Sequence, residues 1–272
     1  MLNKADVDSA YAAAQKVVET HMRLAKFLRP GMTLGQIDTF VAKTLDDLGC
    51  KSCFLHYKPR GHRGPAFPSH ACLSVNDCVV HGTAGSYSEP IGPGDLVKID
   101  IGVWYQGYIG DAAWTYFVPP ISAEAARLLI AGKESIAEGV KELRPTQTWG
   151  AWAKRVSEIV EAKYGFHLTQ GLGGHGIGRS LHGGPFVSNS PQSAAEWPDG
   201  VKYCKPGTLV AVEPMLAIGT GQTRQPDGRH SWPVHSADGS LTAHYEHDVL
   251  ITEGDPKILT EGLESVRDEI VV

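Results

Sequence analysis

No stretch of the 272-residue sequence stays apolar for the 18 or so residues that a membrane-spanning helix needs. Charge of a single sign is equally scarce. Twenty-five Lys and Arg are interspersed with thirty Asp and Glu, for a formal net charge of −5, so the basic stripe of a nucleic-acid binder is missing. The five cysteines are odd in number, and the one C-x-x-C, at Cys50 and Cys53, has no second pair to complete a zinc ribbon. Reduced structural thiols are expected. Low-complexity tracts are absent, and the N-terminal stretch "MLNKADVDSAYAAAQ" carries acidic residues where a signal peptide would have an apolar core. A cytoplasmic monomer without a nucleic-acid or membrane partner follows as the expectation. Neither H-E-x-x-H nor G-x-S-x-G occurs, which removes the one-helix zinc hydrolase and the serine nucleophile elbow. What remains is a globular composition, 42% apolar and 20% charged, in a chain long enough to bury a sizeable core.

What the sequence does contain is an echo of itself. Helical periodicity runs through Val7, Ala10, Tyr11, Ala14, Val17, Val18, Leu24, Ala25 and Leu28. "RPGMTLGQ" interrupts it, with Thr33 and Gln36 spaced as a capping box, and a second helix follows through Ile37, Val41, Leu45 and Leu48. Further on, a helical pattern through Leu129, Ile136, Val140 and Leu143 reaches "RPTQTWG" and another helix through Trp152, Val156 and Val160. Arg29, Pro30, Thr33, Gly35 and Val41 thus meet Arg144, Pro145, Thr148, Gly150 and Val156. "GPGDLVKID" (92–100) likewise meets "KPGTLVAVE" (205–213), placing Asp100 on Glu213. The chain is read as one catalytic domain over 1–272, built from duplicated helix-helix-strand halves at about 5–118 and 122–260.

The strands carry the chemistry. In "LVKIDIGV" (96–103), Val97, Ile99, Ile101 and Val103 alternate with Lys98, Asp100 and Gly102, predicting a strand with one apolar face and Asp100 on the other. A turn at Gln106 and Gly107 leads into "YIGDAAWTYFV", which should set Asp111 nearly opposite Asp100. Two adjacent carboxylates repel unless one is protonated or a cation lies between them. The internal symmetry adds Glu213, and "LTAHYEHDVLI" (241–251) adds Glu246 as the expected counterpart of Asp111. His175, in the glycine-rich "GGHGIGRSLHGGP" (173–185), completes one imidazole and four carboxylates. That donor set suits a pair of harder divalent ions such as Mn²⁺, Fe²⁺ or Co²⁺ better than a thiolate-built zinc site. Any one of these acids alone would more often be a solvated or ion-paired residue; their joint placement on a duplicated scaffold is the signal. "GLGGHG" (171–176) also fits G-x-G-x-x-G, but Gly183, Gly184 and Pro185 preclude the helix a dinucleotide turn requires.

"VVHG" (79–82), "KIDIGVWYQGYIGD" (98–111), "GGHGIGRSLHGGP" (173–185), "AVEPM" (211–215) and "LTAHYEHDV" (241–249) together resemble the type I methionine aminopeptidases of the pita-bread fold. The resemblance is ordered and spans about residues 5 to 260. It implies an α+β (α/β) pita-bread fold in which a curved antiparallel sheet, backed by helices, cradles two divalent ions drawn from Mn²⁺, Fe²⁺, Co²⁺ and Zn²⁺. The implied ligands are Asp100, Asp111, His175, Glu213 and Glu246. By the same resemblance Glu213 takes a proton from the attacking water, His182 reaches the scissile carbonyl, and His81 contacts the substrate amide nitrogen. A methionine pocket would fall on Phe67, Cys72 and Trp232. The implied substrates are nascent chains and peptides with a free N-terminal methionine, cleaved before small residues.

The sequence departs from the family pattern in three places. "GHRGPAFP" (61–68) lacks a tyrosine common on the pocket wall, unless Tyr57 replaces it; Leu181 stands where phenylalanine is usual; and "SNSPQSAAEWPDGVKYC" (188–204) is long. That last segment is read as a polar surface loop, with contact to the ribosome or another partner as the alternative. A proline-specific aminopeptidase or dipeptidase on the same fold, and a non-catalytic peptide-binding relative, are the competing readings. The separate N-terminal domain usual in the proline branch finds no room in 272 residues, and five intact ligands argue against a binding module.

Overall fold

The computed structural model describes residues 3–59, 61–226 and 231–271. Helix α1 (Lys4–Phe27) starts at Asn3, whose side chain accepts from the Asp6 backbone while Asp6 answers back to Asn3. Its Ala10, Ala13, Ala14, Val17, Val18 and Leu24 form a buried stripe. Helix α2 (Leu34–Asp47) begins with the expected Thr33–Gln36 capping box. Helix α3 (Ala123–Gly139) is capped by Ser122, and α4 (Trp149–Ser157) follows and widens into a π-helical turn over Glu158–Lys163. No helix among the described residues is long and apolar enough to cross a membrane.

These helices back an antiparallel sheet assembled from two hairpins. The first joins Leu96–Tyr105 to Tyr108–Phe117 through Gln106 and Gly107, both at positive φ (49° and 82°), the backbone that a two-residue primed turn demands. Cys72–Val75 pairs along its other edge. The second hairpin is interrupted. Leu209–Val212 pairs with His247–Leu250, and Met215–Ala217 pairs with Thr242–His244, in one continuous register across the break. Gly173–Gly176 lies beside Leu209–Val212 and pairs in turn with Gly183–Ser188.

Three features weld the helices and hairpins together. Gly110 lets α1 lie directly on the sheet, since a Cβ there would sit 2.6 Å from the Ala13 backbone. His21, fully buried in α1, is a satisfied core histidine with Nδ1 2.9 Å from the Tyr116 hydroxyl and Nε2 3.2 Å from the Ala112 carbonyl. Trp114 of the first hairpin meets Tyr245 of the second edge to face, ring centroids 4.8 Å apart, at the centre of the core.

The strand at 96–105 has the expected apolar face, with Val97, Ile99, Ile101 and Val103 buried, and its polar face is covered as well, Lys98 being 1% exposed and Asp111 on the partner strand 3%, because the second half lies over it. Two sequence expectations are corrected here. Asp111 is not opposite Asp100. The register pairs Asp100 with Ala113 and Asp111 with Gly102, a diagonal offset of two residues that keeps both side chains on one face. Segment 188–204 is not merely surface loop, since Asn189 and Trp197 are buried and Trp197 donates its indole N–H to the Phe186 carbonyl at 3.0 Å.

Candidate metal centre

The interruption of the second hairpin is where the site forms. Pro214 has no N–H to give the ladder, so Glu213 is lifted out of regular pairing, and Asn189 Nδ2 holds its carbonyl at 2.9 Å. Across the break the Glu246 backbone N–H donates to Ala113 of the first hairpin at 2.9 Å, and the Asp111 N–H donates to Asp248 Oδ2 at 2.8 Å. The two hairpins therefore cross-link at the acidic residues themselves. His175 arrives on the neighbouring strand opposite Ala211. The glycine beside it has a steric reason, because a Cβ on Gly174 would lie 2.2 Å from the Ala211 carbonyl oxygen.

The register also corrects the expected symmetry. Asp100 faces Ala113 in the first hairpin, and Glu213, by the continuous register of the second, faces Glu246. Glu246 is thus the counterpart of Ala113, and the counterpart of Asp111 is His244, two residues earlier. His244 was missed in the sequence, although mapping the register rather than the residue type would have found it. It is 2% exposed, with Nε2 3.3 Å from Glu213 Oε2 and 3.9 Å from Glu246 Oε2.

Of the five ligands expected from the sequence, the structure brings four into two overlapping groups. Donor atoms of Asp111, His175 and Glu246 lie within 4.8 Å of one another, as do those of Glu213, His244 and Glu246. Glu246 belongs to both. Asp100 lies beside them, outside either triad, between Cys72 and Asp111. The residues fit divalent ions on chemical grounds: Asp100 Oδ1, Asp111 Oδ1 and His244 Nε2 are buried without a hydrogen-bond partner. Burial pushes the Asp100 carboxyl up to about 7 and that of Glu213 up to about 8. Asp111 and Glu246 are raised well above the carboxylate range, by burial first and by their acidic neighbours second. Burial also lowers His81, His175 and His244 to about 4. Neutral imidazoles around a crowd of carboxylates that cannot all ionise alone make a cation receptor.

One wall of a cleft of about 480 Å³ is formed by these residues. His81 enters it from a left-handed backbone conformation, φ 59°, that non-glycine residues rarely adopt. His182 stands over His175, ring centroids 4.4 Å apart and near perpendicular. Phe67, Cys72 and Trp232 line the opposite, apolar part together with Phe54, Tyr57 and Leu181. Phe67 meets Trp232 edge to face at 5.2 Å. All ten residues singled out in the sequence therefore converge on one cleft, and Tyr57 joins its wall. The cysteines are free.

Residues 8–253 match metallopeptidase family M24. The chain is 37% identical over 261 residues to a methionine aminopeptidase of Aquifex aeolicus, covering 96% of this chain and 98% of that one. It is 36% identical over 260 residues to methionine aminopeptidase 1 of Mycobacterium tuberculosis, covering 93% and 92%. Among solved structures, the methionine aminopeptidase of Thermotoga maritima superposes with a TM-score of 0.85 at 30% identity, covering 95% of this chain and 98% of that one.

Proposed function

The chain belongs to metallopeptidase family M24, and from that premise we propose that it is a methionine aminopeptidase that hydrolyses the first peptide bond of chains beginning with a free methionine. The observation that carries the reading is the convergence of Asp100, Asp111, His175, Glu213 and Glu246, buried or nearly so, on one cleft with an apolar wall. Bound divalent ions, two in number and of the Mn²⁺, Fe²⁺, Co²⁺ or Zn²⁺ class, would supply Lewis acidity and lower the pKa of a water molecule. Asp100, Asp111, His175, Glu213 and Glu246 would hold them.

The protein's own groups then have defined tasks. Glu213 accepts the proton of the attacking water as the new C–O bond forms. His182 donates a hydrogen bond to the carbonyl oxygen as negative charge gathers there. His81 meets the amide nitrogen of the scissile bond. As the C–N bond breaks, Glu213 returns the proton to the departing amine. Phe67, Cys72 and Trp232 surround the methionine side chain, where an unbranched thioether gains sulfur–aromatic contact. Residues 1–272 act as one catalytic unit on nascent chains in the cytoplasm, with small residues preferred after the methionine.

The deciding assay compares metal-stripped protein with and without added Mn²⁺ or Co²⁺ on Met-Ala-Ser, its N-acetylated form and Ala-Pro-Ser. Metal-dependent hydrolysis of free Met-Ala-Ser alone is expected. Cleavage of Ala-Pro-Ser instead would move the protein to the proline branch, and no cleavage of any peptide would defeat the enzymatic reading.

A further inference from the structure

The cleft contains a contact that spans 125 residues of sequence: the Tyr57 hydroxyl lies 2.6 Å from Nδ1 of His182. Tyr57 stands at the neck of a flap. His56 N–H donates to the Phe67 carbonyl at 2.8 Å, Phe67 N–H to the Tyr57 carbonyl at 2.9 Å, and Tyr57 N–H to the Phe54 carbonyl at 2.8 Å. His56, at φ 66°, makes the left-handed step into that neck. Beyond it the flap closes over the pocket, with the His62 ring stacked 4.2 Å from Trp232 and the Trp232 indole N–H donating to the Pro65 carbonyl at 3.0 Å. Backbone pairing at Tyr57 itself places the phenol, and its ring lies 5.2 Å from that of His182.

A neutral imidazole has one N–H and one lone pair, and the partner of one nitrogen decides which is which. Phenol is a far stronger acid than a neutral imidazole N–H, so the favoured arrangement between them is O–H···N, with tyrosine donating. With Nδ1 occupied as an acceptor, the proton must sit on Nε2. Building on the role given to His182 above, we infer that Tyr57 is a positioning residue, which holds His182 in the Nε2–H tautomer so that this nitrogen donates to the substrate carbonyl oxygen. The wall tyrosine missing from segment 61–68 then has a counterpart with a use: Tyr57, just before that segment, carries the hydroxyl that sets the tautomer.

The test is Tyr57→Phe, which keeps the ring and its packing and removes only the hydroxyl. Protein with ¹⁵N-labelled imidazoles is loaded with diamagnetic Zn²⁺, and the His182 signals are assigned by their loss in His182→Gln. In the wild type Nε2 carries the proton and Nδ1 does not; in Tyr57→Phe the two tautomers mix. On Met-Ala-Ser, kcat falls about tenfold, the scale of removing an outer partner that orients a functional histidine, while KM changes less than about twofold. Proton on Nδ1 in the wild type overturns the inference, as does a Tyr57→Phe variant that keeps a single Nε2–H tautomer and full kcat. Should the wild type hydrolyse no methionyl peptide, the functional reading fails, and the nitrogen signals still decide the tautomer.

Discussion

The two hairpins are copies of one plan, executed differently. The first runs unbroken for ten residues on each strand, and its Asp100 and Asp111 project from an intact ladder. The second is cut on both strands, at Glu213–Pro214 and at Tyr245–Glu246, and the backbone freed by the cut is re-used. Glu246 spends its N–H on Ala113 of the other half, and Tyr245 N–H reaches the Pro214 carbonyl at 3.3 Å. The contrast teaches that the first half is the rigid frame and the second the adaptable one. Side chains on a regular ladder have fixed spacing, whereas a broken ladder can tilt two carboxylates and two imidazoles toward a common point.

The sharpest way to break this contrast is at Glu213, the only one of the acids given a proton-transfer task. Glu213→Gln keeps the volume and loses the base, so turnover should fall by about 10³-fold or more with an unchanged circular dichroism spectrum; retained activity would sink the mechanism. Chelation would remove a divalent cation held between acids of both halves. Melting temperature should drop on adding EDTA, the lost stabilisation reaching about 2.7 kcal/mol when the ion had been present at one hundred times its Kd. An unchanged melt would mean that the cluster holds no ion.

A pH series on the stripped protein sharpens the comparison further. Asp100 and Glu213, one from each half, have folded values of about 7 and about 8, above their unfolded values, so their contribution is complete at low pH and is lost as pH rises through the folded values. Their loss begins near the unfolded values of about 4 and is complete once pH passes the folded ones, so the carboxyls lower stability from about pH 4 to about pH 8. Between about pH 4 and 6.5 His81, His175 and His244, each lowered to about 4, offset part of that loss, because their own contribution grows as pH rises toward the unfolded histidine value, and the decline is unopposed only from about pH 6.5 to 8. Adding Mn²⁺ should flatten the decline above pH 6.5; a decline of equal slope with and without metal would exclude these carboxyls as its source.

The smallest expected effect concerns the helix starts. Thr33 caps α2 with Gln36 answering, whereas Thr148 begins α4 with no side-chain cap bond, the first helical N–H groups of Trp149 and Gly150 being taken by the Lys202 and Gly200 carbonyls at 3.1 and 2.8 Å, and Ala151 stands where Gln36 stands in the first half. Ala151→Gln should supply the missing reciprocal bond and add about 0.5 kcal/mol, read as a rise of about 1 °C in melting temperature. Thr33→Ala should cost about 1 kcal/mol by the same measurement, while Thr148→Ala should cost less.

Much of this architecture was legible before any coordinates. The helices, the capping box at Thr33 and the turn at Gln106 and Gly107 depend on local propensity and periodicity, which adjacent residues encode. The duplication was legible because both halves keep the same Pro-Gly turns and apolar spacing. Which acids reach the cleft followed where a single position carried the signal, as at Asp100 and Glu213. Apart from the partly buried segment 188–204, the misreadings were of register: Asp111 opposite Asp100, and Glu246 as the counterpart of Asp111. A one-step slip of register turns a side chain to the other face, and a two-step slip moves it along the same face without changing the alternation pattern, so periodicity could not detect it.

The sequence by itself determined the repeated helix-helix-strand units, the residue types available as donors and the glycines that let backbones approach, since these are properties of short windows of chain. Only the tertiary structure decided which residues meet. His244 beside Glu213, Glu246 bonded to Ala113, Asn189 holding the Glu213 carbonyl and Tyr57 on His182 join positions from 24 to 133 residues apart. Contacts of that range are set by how two twisted hairpins dock and by which buried polar groups remain to be satisfied, and no local window of sequence carries that information.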